Sequence, residues 1–334
     1  MSNKTDPLAE IRAFMGSRVI LTACELDIFT TLHSSSLTAE KLAQETSCDL
    51  RALTRLLDCL VIQGFLEKDL QGYYSLSTKA ETLSQKHEQT VLPMALHLNH
   101  VWDNWHMLTE TIGFGENYYR SDVTELGENE QKAFIEAMHV VGRQLSTEIA
   151  EEYDASDRKC LLDIGGGSGV YTQAFLEANP GLRAIIFDLE QVIPFCREFI
   201  YDQGLEDRVT FKSGNFYHDQ LPAGADLVLL SAIIHQNSRQ ENRDLYSKIF
   251  SSLEPGGKIL IRDHIMDDSR TSPASGAMFA INMLVNTQGG DCFTFNEVET
   301  DLKDAGFENI KPLRTGKDSF ERMDCLVEAS KPSA

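Results

Sequence analysis

Positive charge is scarce in this sequence. Across 334 residues, 30 Lys and Arg stand against 51 Asp and Glu, a formal net charge of −21. Phosphate backbones are bound by clustered cations that release counterions, and anionic membrane surfaces ask for the same clusters. Division of the chain uncovers no hidden basic part. Residues 1–90 hold 9 basic and 12 acidic side chains (−3), which leaves 21 and 39 (−18) for residues 91–334. Paired cysteines are missing too: seven is an odd number and none has C-x-x-C spacing. That removes zinc-ribbon and thioredoxin-like readings and suits a reducing cytosol. No apolar run nears the ~18 residues that span a bilayer, and MSNKTDPLAEIRAF lacks the apolar core of a signal peptide. The expectation is a soluble, cytoplasmic protein that binds neither nucleic acid nor membrane. What remains, 42% hydrophobic and 24% charged residues, is ordinary globular composition in a length that fits two domains.

The first ninety residues read as three helices and a hairpin. Val19, Ile20, Ala23, Leu26, Ile28 and Phe29 fall at helical spacing between Arg18 and Leu32. Thr38 sits where an N-cap would, with Glu40 in the first turn and Leu42 and Ala43 inward. Asp49 caps a stronger helix with Leu53, Leu56, Leu57, Leu60 and Val61 on one face and Gly64 as its stop. Phe65–Lys68 and Tyr73–Leu76 then flank a turn, two short strands that complete a winged-helix pattern. The helix that would enter a DNA groove carries Arg51 and Arg55 but also Asp49 and Asp58, in a segment of net −3, so self-association is the better reading.

Residues 91–157 look helical. From residue 158 strands and helices alternate, the mark of an α/β, Rossmann-like doubly wound sheet. Strands are expected at Lys159–Ile164, Ala184–Leu189, Val209–Lys212, Asp226–Leu230 and Lys258–Arg262, with helices from Val170, Glu190 and Gln240. Pro180-Gly181 and Pro255-Gly256-Gly257 mark turns before strands, and strands near Ile310–Arg314 and Cys325–Ala329 could finish the sheet.

The first strand runs into Asp163-Ile164-Gly165-Gly166-Gly167-Ser168-Gly169. Glycines let a backbone approach a ligand closely and take positive φ, and open α/β sheets bind ligands at their carboxyl ends. A dinucleotide fingerprint starting at Gly165 would put Val170 at its third glycine, so that match fails. The spacing is D-x-G-x-G-x-G. Asp188 ends the next strand, where a carboxylate can accept both hydroxyls of a ribose. Gly214-Asn215-Phe216 follows the third strand, with an amide for an adenine edge and an aromatic ring for its face.

In these residues the chain resembles the class I S-adenosylmethionine-dependent O-methyltransferases that include the caffeate, flavonoid and acetylserotonin enzymes. The likeness extends to Asn286-Thr287-Gln288-Gly289-Gly290, Thr294-Phe295-Asn296-Glu297 and Ala305-Gly306-Phe307. It implies a dimerisation domain over 1–90, a helical bridge over 91–157 that contributes to the acceptor pocket, and a cofactor-binding catalytic domain over 158–334. It implies a homodimer, S-adenosyl-L-methionine as cofactor and a small, aromatic acceptor. The implied cofactor set is Asp163, Gly165, Gly167, Gly169, Asp188, Leu189, Gly214, Asn215, Phe216 and Ser231. Gly165 would lie against the methionine moiety, Asp188 on the ribose, and Leu189 and Phe216 beside the adenine. The family usually has Asp where Asn215 stands, and plant members carry Lys at the position of Ser231.

Methyl transfer to a hydroxyl is helped by a base, because a phenol of pKa about 10 is mostly protonated at neutral pH. Histidine, ordinarily near 6.5, suits that task. Of nine histidines only His235 follows a central strand next to the cofactor loops, and the resemblance points to the same residue. It also implies Asp263 as the flanking acid. Two departures stand out: His235-Gln236-Asn237 replaces the usual His-Asp-Trp, and Cys292, preceded by Asp291, replaces a second flanking acid. Cys292 is not expected to be a nucleophile, since no His or Arg lies nearby in sequence. Asp263-His264 and Asp267-Asp268 are read as turn residues, and no metal is expected. The acceptor pocket would draw on Trp102, Trp105, His106, Met138 and the stretch Phe279–Thr287, with Met283 and Thr287 at positions that face the acceptor in the family. A C-methyltransferase on the same scaffold and a non-catalytic, ligand-sensing winged-helix regulator stay open as alternatives.

Overall fold

The computed structural model describes residues 6–118, 120, 128–315 and 323–333. The chain divides into two compact units, Met1–Asp103 and Asn104–Ala334.

The first unit contains helices α1 (Pro7–Glu25), α2 (Ile28–Thr31), α3 (Ala39–Glu45) and α4 (Leu50–Ile62), and strands β1 (Leu37–Thr38), β2 (Leu66–Lys68) and β3 (Tyr73–Leu76). Asp6 caps α1 with Pro7 in its first turn, a start signal upstream of the apolar spacing. The helix expected over 18–32 breaks instead at Asp27, whose φ is +54°. Thr38 and Asp49 accept from Lys41 N and Ala52 N as N-caps of α3 and α4. Ile28, Phe29, Leu42, Leu53, Leu57, Leu60, Leu66 and Tyr74 form the core, under an antiparallel sheet of order β1-β3-β2. Asp58 of α4 binds the Lys68 ammonium and the Tyr74 hydroxyl, each at 2.7 Å. Lys79 lies over the Phe65 ring. Two of the few cations of the wing are therefore held internally.

Helix α5 (Leu92–His106) leads into the second unit, which continues with α6 (Leu108–Phe114), α7 (Glu128–Glu152), β4 (Cys160–Ile164), α8 (Val170–Ala178), β5 (Arg183–Asp188), α9 (Ile193–Asp202), β6 (Val209–Ser213), β7 (Ala225–Ser231), α10 (Arg239–Ser252), β8 (Leu253–Asp263), α11 (Ala274–Asn286), α12 (Phe295–Asp304), β9 (Glu308–Arg314) and β10 (Cys325–Ser330). The sheet order is β6-β5-β4-β7-β8-β10-β9. Its first five strands are parallel, and β10 runs antiparallel between β8 and β9. Both faces are covered, so alternate residues of one strand enter different cores. Leu162 and Ile164 pack with Leu245, Ile249 and Leu302 on one face, and Leu161 packs with Ile149, Phe175 and Leu176 on the other.

In the second unit, two boundaries differ from expectation by more than two residues. The helix expected from Glu190 starts at Ile193, which keeps Pro194 in its first turn, where a missing N–H costs no helical bond. The turn at Pro255-Gly256-Gly257 is absorbed into β8. Ala225 pairs with Leu253 but Leu227 with Lys258, so the turn bulges out of a strand that continues. Among the described residues no helix is long and apolar enough to cross a membrane.

Candidate active site

The chain leaves β4 for β5 on one side and returns to β7 on the other. At such a switch point, loops diverge and open a crevice at the carboxyl ends of the strands. Four groups of the expected site follow these ends: the glycine loop after β4, Asp188 at the end of β5, Gly214–Phe216 after β6 and His235 after β7. Asp263 is the last residue of β8.

The glycine loop turns on positive φ at Gly165 (+68°), Gly167 (+57°) and Gly169 (+80°). A Cβ on Gly165 would stand 2.5 Å from Ile233 Cδ1, and one on Gly169 would crowd Ile200 and Ile186. Gly167 has open space around it. Asp163 sits beneath the loop, with its carboxylate on the Thr172 hydroxyl at 2.7 Å and against Gly166. Asp188 accepts from Gly167 N at 2.8 Å and from Leu189 N at 2.7 Å. Its carboxylate thereby ties the glycine loop to the end of β5. Burial pushes both carboxyls up to about 6, against the hydrogen bonds they accept.

Gly214 donates to Asp188 O, and a Cβ there would strike the Phe187 ring at 2.6 Å. The Asn215 amide oxygen accepts from Tyr217 N at 2.9 Å, an Asx turn that shapes this loop. Phe216 packs against the core and comes within reach of a Cβ on Gly165. Ser231 accepts from Arg262 Nε at 2.9 Å. The neighbouring strand β8 thus brings a cation against Ser231. Arg262 sits directly before Asp263, and sequence reading missed it because its partner is across the sheet.

His235 lies in a single helical turn, Ile234–Gln236, and is 9% exposed. Its Nδ1 is 2.9 and 3.0 Å from the two Asp263 carboxylate oxygens. Asp263 is fully buried and also accepts from the His264 amide at 2.7 Å. Burial would raise its carboxyl, but His235, Arg262 and His264 outweigh that, and the net displacement is downward. A carboxylate on Nδ1 selects the tautomer that carries its hydrogen there, which makes Nε2 the proton acceptor. The Phe279 ring meets His235 edge-on, centroids 4.9 Å apart, and His264 at 5.0 Å. Burial pushes the His264 imidazole down to about 4, so it adds no cation at neutral pH.

The late loop braces this turn from behind. Asp291 N donates to His235 O at 2.9 Å, and a Cβ on Gly290 would fall 2.4 Å from the same oxygen. The glycine pair quoted from the sequence is thus required by close approach. Thr287 donates to Met283 O and accepts from Gly290 N, a hydroxyl engaged in forming the loop. Met283 is buried on α11, and Met138 is half-buried on α7. Trp105 Nε1 donates to Asn282 on α11 at 2.8 Å, His106 is exposed, and Trp102 stays with Phe14 and Arg18 in the first unit. Cys292 is buried; burial, then Asp263 and Asp291, push its thiol up. An arginine that sequence proximity did not reveal, Arg270, binds Cys292 O and the Asp291 carboxylate.

The family model for the O-methyltransferase domain matches residues 100–308, and that for the O-methyltransferase dimerisation domain matches residues 9–86. The tetracenomycin polyketide synthesis 8-O-methyl transferase of Streptomyces glaucescens is 30% identical over 312 residues, 92% of this chain and 92% of that protein. The acetylserotonin O-methyltransferase of Gallus gallus is 28% identical over 91% of this chain and 92% of that protein. Human N-acetylserotonin methyltransferase, solved in complex with SAM, superposes with a TM-score of 0.85 at 23% identity, covering 99% of this chain and 100% of that one. PigF with SAH reaches a TM-score of 0.90 at 22% identity with the same coverage, and these two likenesses speak for the fold. With both domains matched along the chain, the protein belongs to the S-adenosylmethionine-dependent O-methyltransferase family.

Proposed function

We propose that the protein moves the methyl group of S-adenosylmethionine to a hydroxyl of a small aromatic acceptor, with His235 as general base. The observation that carries this reading is the buried His235–Asp263 pair, 2.9 Å apart, next to the glycine loop. The residues present fit the cofactor. Gly167 borders open space, glycines at 165 and 169 permit a close-packed loop that side chains would not, and Asp188 is an acceptor-only carboxylate suited to hydroxyl donors. Gly165 and Gly167 would border the methionine part, and Leu189 and Phe216 the adenine. When bound, the cofactor provides an electrophilic methyl group on a sulfonium.

The chain's own contribution is proton handling and positioning. His235 Nε2 takes the hydroxyl proton as the oxygen becomes the nucleophile. Asp263, held ionised, keeps the ring oriented and stabilises the imidazolium that forms. The Phe279 edge and the apolar residues Met138 and Met283 suit an aromatic acceptor, as do relatives such as the 3-hydroxy-5-methyl-1-naphthoate 3-O-methyltransferase of Streptomyces sahachiroi. Residues 1–90 would hold two copies together as a homodimer in the cytoplasm.

His235→Ala tests the assignment. The variant should bind S-adenosylhomocysteine as the wild type does, while turnover of a phenolic acceptor found by screening with methyl-labelled cofactor drops by ~10²–10⁴-fold. An unchanged turnover number would remove His235 from the mechanism, and label recovered on carbon would assign C-methylation.

A further inference from the structure

Where the family pattern has His-Asp-Trp, this chain has His235-Gln236-Asn237, and Asn237 is fully buried. It does not stand alone. The Tyr217 hydroxyl donates to Asn237 Oδ1, Asn237 Nδ2 donates to Asn242 Oδ1 at 2.9 Å, and Asn242 Nδ2 donates to Ile234 O at 2.8 Å. The line starts in the loop that follows β6 and ends on the residue before His235. Asn242 belongs to α10, whose Lys248 donates to Phe216 O, Tyr217 O and Asp219 O at 2.8, 2.9 and 3.2 Å. The same helix therefore grips the aromatic loop by Lys248 and the base-bearing turn by Asn242. Its start is itself locked by a capping box between Ser238 and Glu241.

We propose that Tyr217, Asn237 and Asn242 are positioning residues that set the His235 turn in register with the cofactor-binding loop. An apolar side chain at position 237 would fill the same space without linking the two. Each buried amide here uses both its oxygen and its nitrogen, so the line has a direction and a fixed length. Buried polar networks of this kind are costly when broken and rigid when complete. Displacement of the Phe216–Tyr217 segment by a ligand would then be felt at His235. The proposal rests on the cofactor and base assignments above.

The test reads His235 directly. Protein labelled with ¹³C at histidine Cε1 is titrated with S-adenosylhomocysteine, with the His235 signal assigned by its loss in His235→Gln, and affinity is measured by calorimetry. In the wild type the His235 signal should move on binding. In Tyr217→Phe, which removes one hydroxyl, binding should stay within about threefold while the displacement shrinks at least about twofold, as expected for coupled neighbours. Asn237→Asp keeps the acceptor for Tyr217 but loses the donor to Asn242, and should reproduce the loss if Tyr217→Phe disturbs its loop. A full displacement in both variants overturns the proposal, as does no displacement in a wild type that binds. Failure of the wild type to bind S-adenosylhomocysteine overturns the cofactor assignment instead.

Discussion

Asp188 is the residue whose environment has the clearest consequence for pH. Its carboxyl is raised to about 6 by burial, and Asp163 behaves alike. For an acid raised on folding, the native state holds more protons than the unfolded chain between about pH 4 and 6, so these groups favour folding more as pH falls through that window. Ligand binding has the opposite sign. A protonated Asp188 cannot accept from Gly167 N and Leu189 N and also, in the proposed binding mode, from two ribose hydroxyls. The dissociation constant of S-adenosylhomocysteine should therefore rise as pH drops below about 6, and the dependence should vanish in Asp188→Asn. Calorimetry across pH 5–8 checks this, and equal pH dependence in the two proteins would count against it.

At the scale of elements, the site is a set of loop ends braced by one another. The late loop is the clearest case, because Gly290 leaves no room for a Cβ between His235 O and Thr287 Oγ1, each 2.4 Å from where it would lie. Gly290→Ala must push the His235 turn or the loop aside. Overpacking of this kind costs about 1–3 kcal/mol, and a displaced His235, in its proposed role, should lower the turnover number along with stability. Urea unfolding and steady-state kinetics on one preparation measure both. A stable variant with normal turnover would mean that the loop yields without moving His235.

For the whole molecule, charge and apolar surface are distributed unequally. Most of the −21 lies beyond residue 90, which favours solubility through like-charge repulsion. The nearly neutral first unit exposes Leu8, Ile11, Phe14 and Met15 along one face of α1, at 52, 64, 51 and 55%. A contiguous apolar face on a dimerisation domain is a surface for association. The double variant Ile11→Glu, Phe14→Glu should sediment as a monomer at micromolar concentration where the wild type is a dimer. A dimeric variant would move the interface to another face.

Much of this was legible one residue at a time. Helix caps at Thr38 and Asp49, the positions of the strands, the D-x-G-x-G-x-G loop and the candidate pair His235 and Asp263 follow from local spacing or from likeness in it, because caps, turns and periodicity act within a few residues. Contacts between distant segments were not legible. Nothing near Ser231 announces Arg262, nothing near Cys292 announces Arg270, and no pattern ties Tyr217 to Asn237. Sequence by itself determined which side chains are present and which turns they can form. Tertiary structure decided the 2.9 Å between His235 and Asp263, the bulge in β8 and the amide line to Tyr217. The reason is physical: sheet pairing and burial bring together residues dozens of positions apart, and only that approach gives a carboxylate or an amide its partner.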